Sequence, residues 1–209
     1  CLSKNYLKDK NEILVSKLEH HANLVPWHLI SKKIKIIAGE INNKGELNYD
    51  DLVAKINSKT KLIAITHMSN VTGSITSFEK IKTKVKKFNI PILIDGCQFV
   101  PHKKLDIMDL DPDFYVFSAH KLYGPSGLGV LYIKDYWIDK LEPYQGGGSM
   151  VKNVETDAST YLNNNHKFEA GTPPIAQVIG LSSAIDFINE LGIENIFDYE
   201  SELTKYAYE

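Results

Sequence analysis

Residues 91–133 read PILIDGCQFVPHKKLDIMDLDPDFYVFSAHKLYGPSGLGVLYI, and this stretch decides the fold. It contains short apolar runs bounded by Gly, Pro or Asp, which is typical of buried strands. These runs are Pro91–Asp95, Asp113–Ser118 and Gly129–Ile133. Upstream, similar runs alternate with segments of helical periodicity. The alternation predicts an α/β fold with a largely parallel sheet that is covered by helices on both faces.

The remaining elements follow from the same two periodicities. Further strands are expected at Glu12–Ser16, Lys33–Ile37 and Lys61–Thr66. Helices are expected at Leu24–Ile30, at Asp50–Ile56 after the N-cap Asn48, at Ser77–Phe88, at Pro174–Leu191 before the C-cap Gly192, and from Ile193 onwards. Between residues 146 and 167, glycine and polar residues predict an excursion away from the sheet.

Composition narrows the classes of function. The 209 residues are 43% hydrophobic and 24% charged, as in a soluble globular protein, and the net charge of −2 argues against a general nucleic-acid binder. No apolar run approaches the roughly 18 residues of a membrane span. All 24 basic residues are lysine, so the chain offers no bidentate guanidinium. The two cysteines, Cys1 and Cys97, lack metal-ligand spacing, and no metal site is predicted.

Polar side chains follow four of the predicted strands. In open α/β sheets ligands bind at the carboxyl ends of the strands, so these clusters are expected to meet at one edge. The clusters are EHH at 19–21, THMSN at 66–70, DGCQ at 95–98 and SAHK at 118–121.

Asp95 and Lys121 form the most informative pair. A carboxylate at the end of a buried strand is costly to desolvate unless a cation faces it, although an Asp here can also cap a turn. A lysine at a strand end is a candidate nucleophile because burial disfavours the charged amine, although it can also be a surface side chain. Together they match the plan of a pyridoxal phosphate (PLP) site, in which Asp keeps the ring nitrogen protonated and Lys forms the Schiff base.

The neighbouring polar residues suit the same ligand, and each also fits ordinary turn chemistry. Ser118 and His120 can bind a phosphate. Asn70 and Gln98 can hydrogen-bond a phenolate oxygen on the ring. One histidine of the pair at 20–21 can stack on a planar ring, whereas adjacent side chains diverge too much to share a metal.

Six long motifs share their order and spacing with one known family. They are EHHANLVPW at 19–27, THMSNVTG at 66–73, ILIDGCQ at 92–98, DFYVFSAHKLYGPSGLGVLY at 113–132, GGGSM at 146–150 and FEAGTP at 168–173. With these motifs the chain resembles the cysteine desulfurases, in the SufS/CsdA-like group II branch of the class V aminotransferase superfamily. The resemblance spans essentially all residues.

The resemblance implies a PLP-dependent transferase of fold type I, normally a homodimer. Such an enzyme converts L-cysteine to L-alanine and an enzyme-bound persulfide, whose sulfur passes to an acceptor protein for iron–sulfur cluster assembly. Some relatives act on L-selenocysteine. The implied roles are Lys121 as Schiff-base lysine and proton carrier, His20 as ring-stacking and proton-transfer residue, Asp95 as ring-nitrogen partner, Asn70 and Gln98 near the ring hydroxyl, Ser118 and His120 at the phosphate, and Thr172 at the phosphate of the partner subunit's site.

The sequence also departs from the family. It lacks the C-terminal RxGHHC-type loop that carries the nucleophilic cysteine, and neither Cys1 nor Cys97 replaces it. Both ends are expected to be cuts through a larger protein, so the chain alone is expected to be inactive. The expected parts are the PLP-binding large domain at 1–145, an excursion with the dimer-site motif at 146–173, and helices leading to a small domain at 174–209. A bacterial source implies the cytoplasm, and a eukaryotic one a plastid-type organelle.

Two alternatives stay open. Another class V PLP enzyme, such as an aminotransferase, a kynureninase-like lyase or a selenocysteine lyase, uses the same pair of Asp and Lys. The second alternative is a non-catalytic fragment that serves only in assembly. The intact set of Asp95, Gln98, His120 and Lys121 argues against a decayed gene.

Overall fold

The computed structural model describes residues 1–7 and 11–209. Within this part the core is a six-stranded sheet of order β2-β1-β3-β4-β5-β6. Its strands are β1 Asn11–Ser16, β2 Ile34–Gly39, β3 Thr60–Thr66, β4 Ile92–Asp95, β5 Phe114–Ser118 and β6 Gly129–Ile133. Neighbouring strands pair in parallel except β6, which is antiparallel to β5. The predicted, largely parallel α/β sheet is therefore confirmed.

The helices lie mostly between the strands. They are α1 Leu2–Asn5, α2 Val25–His28, α3 Tyr49–Lys55, α4 Glu79–Phe88, α5 Ile107–Leu110, α6 Asp135–Ile138, α7 Ile175–Leu191 and α8 Ile193–Tyr208. Short 3₁₀ helices occupy His21–Asn23, Ala119–Leu122 and Asn165–Phe168. In the described part of the chain, no helix combines the length and apolar character needed to cross a membrane.

Both faces of the sheet are buried, as the continuous apolar strands predict. Successive side chains of a strand point to opposite faces, and Leu62, Ile63, Ala64 and Ile65 of β3 are all shielded from solvent. Ile63 and Ile65 share a core with the apolar side chains of α3 and α4. Leu62 and Ala64 belong to a second core, which includes Trp137 of α6.

Two helix boundaries follow the predicted caps. The Asn48 side chain accepts a hydrogen bond from the backbone N–H of Asp51 at 3.1 Å and begins α3. Gly192, with a φ of 82°, ends α7. The helix expected at Leu24–Ile30 is only four residues long, because a 3₁₀ helix precedes it and the chain turns again after His28.

Some elements have no counterpart among the predictions. Helices α1, α5 and α6 are four residues each, too short to display a helical period in the sequence. The excursion contains an antiparallel hairpin, β7 Val151–Val154 and β8 Ser159–Tyr161. Its side chains are largely exposed on both faces, so no apolar alternation marks it.

Candidate active site

The strand register brings polar residues together at the carboxyl edge of the sheet. Thr66 of β3 pairs with Asp95 of β4, and Asp95 pairs with Val116 of β5. The ladder continues beyond the strands, since His67 N–H donates to the Asp95 carbonyl and Gly96 N–H donates to the Val116 carbonyl, both at 2.8 Å. The main chain on both sides of Asp95 is therefore fixed by hydrogen bonds.

Asp95 is buried, with 6% of its surface exposed. The backbone N–H of Cys97 donates to Oδ1 at 3.0 Å, and the Cys97 thiol also hydrogen-bonds this carboxylate. A carboxylate has about four acceptor positions, so Asp95 keeps capacity to accept from a ligand. The turn needs Gly96, because a Cβ there would lie 2.1 Å from the Tyr115 hydroxyl oxygen.

Lys121 lies in the 3₁₀ helix that directly follows β5, and it is half-buried. This helix ends at Tyr123 in a left-handed conformation, and Gly124 then passes against it. A Cβ at Gly124 would lie 2.9 Å from the Ala119 carbonyl oxygen and 3.1 Å from Leu181 of α7. The Gly-Pro turn after Lys121 is therefore a close-packing feature that holds the lysine-bearing segment against α7.

Cys97 lies among the strand-end residues. Its Sγ is 3.7 Å from the Ser118 Oγ. Burial and the charge of Asp95 raise the pKa of the Cys97 thiol, while the hydrogen bond with Ser118 and the charge of Lys121 lower it. Ser118 therefore contacts the Cys97 sulfur, and Asp95 and Lys121 lie near enough for their charges to act on the thiol.

His20 begins the 3₁₀ helix at His21–Asn23. Its Nδ1 accepts a hydrogen bond from the Ala22 backbone N–H at 3.1 Å, so the ring nitrogen Nδ1 is unprotonated and the neutral ring carries its proton on Nε2. The His20 and His21 rings are both exposed, with centroids 5.9 Å apart. The His20 ring is therefore available to a ligand.

Glu19 is a half-buried carboxylate beside this histidine. Burial raises the pKa of Glu19 to about 7, and Asp95 adds to the increase, whereas hydrogen bonds from Ser16, Thr66 and Asn23 oppose it. The sequence places Glu19 in the first polar cluster, but nothing in the pattern shows that it is enclosed.

A neutral aromatic layer backs the Asp95 strand. The buried His67 ring stacks on Phe99, with centroids 3.5 Å apart, and its Nδ1 lies 3.0 Å from the Tyr115 hydroxyl. Burial lowers the pKa of His67 to about 4, so the ring is uncharged at neutral pH. Burial and Asp95 raise the pKa of Tyr115. The sequence analysis gave this layer no role, and the signal for it was a histidine directly after β3 and a tyrosine inside the otherwise apolar β5.

The other predicted site residues are more exposed to solvent than Asp95. Asn70 and His120 are exposed, and Gln98 is half-buried in the turn after Cys97. Thr172 is exposed in the segment after the third 3₁₀ helix. Over residues 1–7 and 11–209, no hydrogen bond or ion pair joins Thr172 to the strand-end residues, and no cluster of side chains suits a metal ion.

The family model described as aminotransferase class-V matches residues 1–209. The chain belongs to the class-V aminotransferase family. A cysteine desulfurase of Serratia proteamaculans is 41% identical over 209 residues, which is 99% of this chain and 52% of the relative. A probable cysteine desulfurase of Staphylococcus epidermidis is 45% identical over 207 residues, 97% of this chain and 50% of the relative. The chain thus spans about half the length of the curated relatives it matches.

Solved structures agree with this class-V aminotransferase assignment. The cysteine desulfurase CsdA from Escherichia coli superposes with a TM-score of 0.88 at 38% identity, covering 93% of this chain and 50% of that chain. The predicted family and α/β fold are thereby confirmed. A variant of C-DES, solved with glycine covalently linked to its PLP cofactor, has a TM-score of 0.82 at 23% identity, covering 93% of this chain and 53% of that chain. At this identity the likeness concerns the fold alone.

Proposed function

We propose that this chain is the cofactor-binding part of a PLP-dependent cysteine desulfurase, which converts L-cysteine to L-alanine and passes the sulfur on as a persulfide. The observation that carries the proposal is the cluster at the carboxyl edge of the sheet, where Cys97 is hydrogen-bonded to Asp95 and Ser118 and lies within the electrostatic influence of Lys121. The similarity to cysteine desulfurases over nearly the whole chain supports it.

The donor set fits PLP. Asp95 offers a buried carboxylate oxygen, which suits a protonated ring nitrogen. Lys121 offers an amine for the aldehyde carbon, and Ser118 and His120 offer donors for the phosphate. When bound, PLP supplies a ring that withdraws electrons from the substrate Cα.

Each residue then has a distinct task. Asp95 keeps the ring nitrogen protonated by presenting a negative charge from a rigid strand end. Lys121 would hold the cofactor through its amine, and the same amine, when free, would move the proton of the substrate Cα as general base and acid. His20 covers the ring and can donate from Nε2. Asn70 and Gln98 hydrogen-bond the ring hydroxyl in this proposal.

Cys97 is unsuited to receive the sulfur. Burial and Asp95 raise the pKa of its thiol, which disfavours the nucleophilic thiolate. The proposal therefore assigns sulfur acceptance to a cysteine outside these 209 residues, followed by transfer to an acceptor protein. It also includes a homodimer in which Thr172 serves the phosphate of the partner's site.

The test uses the full-length protein with added PLP. Wild type is expected to show a visible absorption band and to form equimolar alanine and reducible sulfur from L-cysteine. Lys121→Ala is expected to lose both, whereas Lys104→Ala, which alters an exposed lysine, keeps both. A band that survives in Lys121→Ala contradicts the cofactor assignment. Amino-group transfer to a 2-oxo acid without sulfur release would favour an aminotransferase.

A further inference from the structure

Glu19 is tied to three separate parts of the fold. Its Oε1 accepts hydrogen bonds from the Ser16 hydroxyl at 2.5 Å and from the Thr66 backbone N–H at 3.0 Å. Its Oε2 accepts from the Asn23 amide at 2.6 Å. Ser16 ends β1, Thr66 ends β3, and Asn23 ends the 3₁₀ helix that begins after His20. One carboxylate therefore joins two strand ends to the turn that carries His20.

Such a group is costly to keep at this position. Burial raises the pKa of Glu19 to about 7 because a desolvated carboxylate favours its neutral form. A neutral apolar side chain would avoid that cost, but it could not satisfy the Thr66 N–H and the Asn23 amide. A buried polar group with all its bonds made specifies one arrangement of its neighbours more strongly than apolar packing does.

The bonds of Glu19 fix the position of the turn that carries His20. The His20 ring is exposed, and its one described hydrogen bond is the local bond from the Ala22 N–H. That bond sets the ring relative to its own turn, but it does not set the turn relative to the sheet. The bonds of Glu19 do so, since the neighbouring residue of the same turn is fastened to β1 and β3.

We propose that Glu19 is a positioning residue that fixes the His20 turn against the ends of β1 and β3, so that His20 meets the cofactor ring in one orientation. This inference rests on the proposed function, because the His20 ring has a partner to meet only when PLP is bound. Glu19 itself does not touch the cofactor in this proposal, and it acts through His20.

Two variants of the full-length holoenzyme separate positioning from mere folding. Glu19→Ala removes the three bonds. Glu19→Gln keeps an acceptor oxygen for Ser16 and Thr66, and the Asn23 amide can rotate to accept from the new amide. The matched control is Asp51→Ala, which removes another carboxylate that accepts a backbone N–H, from Glu40 at 2.7 Å, and a lysine, Lys55, at 2.7 Å.

The readouts are kcat, the absorption maximum of bound PLP, and the free energy of unfolding. We expect Glu19→Ala to lower kcat about 100-fold, as a misplacement of about 1 Å can, and to shift the absorption maximum. Glu19→Gln is expected to restore most of both, and Asp51→Ala to change only the free energy of unfolding. If Glu19→Ala does not fold, Glu19→Asp replaces it, because its shorter side chain cannot reach both Thr66 and Asn23.

A double-mutant comparison tests whether Glu19 acts through His20. In a His20→Ala background, Glu19→Ala is expected to lower kcat little further, since the side chain through which Glu19 acts is already removed. The positioning role is overturned if Glu19→Ala lowers kcat by the same factor in the wild-type and His20→Ala backgrounds. It is also overturned if Glu19→Ala leaves kcat and the absorption maximum unchanged. Those outcomes differ from failure of the proposed function, in which Lys121→Ala retains the band.

Discussion

The carboxyl edge of the sheet and the segment at 146–173 both carry motifs of the family, yet their residues are held in different ways. At the edge, the register of β3, β4 and β5 fixes Asp95 between Thr66 and Val116. In the segment, β7 pairs only with β8 within the described chain, and Thr172 is exposed. The strand pairing within this chain thus assembles the site at the carboxyl edge. Thr172 has no such contacts among the described residues, so any role in a cofactor site needs contacts that this chain does not provide by itself.

Replacing Asp95 is expected to have the largest effect of the three changes that probe this contrast. Asp95→Ala in the full-length holoenzyme removes the charge that faces the ring nitrogen, so we expect kcat to fall about 10²–10³-fold while part of the PLP stays bound through Lys121. Steady-state kinetics and cofactor absorbance measure the two effects. Asp157→Ala, an exposed carboxylate next to the hairpin strands, is the control and should leave both unchanged. Undiminished turnover in Asp95→Ala would remove this residue from the site.

The buried His67, next to the carboxyl edge, is expected to make the free energy of unfolding depend on pH, and this effect is the second largest. The pKa of His67 falls from 6.5 to about 4 on burial, so the folded state binds this proton more weakly than the unfolded chain. Its stabilisation is complete above pH 6.5 and is lost as the pH falls towards 4, a change of about 3 kcal/mol. Relative to His67→Gln, wild type should lose that much free energy of unfolding across this range in urea titrations.

The control for this measurement lies on the segment. His166 is exposed and pairs with Glu169 at 3.0 Å, and an exposed pair contributes little to stability. His166→Gln should therefore follow wild type at every pH. Parallel curves for wild type and His67→Gln would show that His67 is not held neutral in the folded protein.

Thr172 is expected to have the smallest effect, and one that depends on a second subunit. Thr172→Ala should weaken PLP binding about tenfold through loss of a hydrogen bond to a charged group. Mixing it with Lys121→Ala creates dimers in which one site has both native residues, if Thr172 acts across the interface. Recovery of tight PLP binding at one site of the mixed dimer is the expected result. If no site of the mixed dimer binds PLP more tightly than Thr172→Ala alone, Thr172 acts within its own subunit's site.

The edge could be predicted from the sequence because strand ends follow from apolar runs. Asp95 ends such a run and Lys121 lies three residues after another, and the parallel pairing of β4 with β5 brings those strand ends together. Glu19 shows the limit of this reasoning. Its enclosure depends on Ser16, Thr66 and Asn23 converging in space, and neither periodicity nor a motif encodes that convergence.

The segment was harder to anticipate for a physical reason. The hairpin strands expose both faces, so the sequence shows no alternation that could locate them. The helix expected at Leu24–Ile30 shortened to α2 although Trp27 and Ile30 pack against the second core, because a 3₁₀ helix precedes it and the chain turns again after His28.

The central claim is that Lys121, in the 3₁₀ helix after β5, holds the cofactor. Reduction of the full-length holoenzyme with borohydride, followed by proteolysis and mass spectrometry, locates the lysine that carries the cofactor. The account predicts a single phosphopyridoxyl label, on Lys121. A label on any other lysine, or none on a protein that binds PLP, would contradict it.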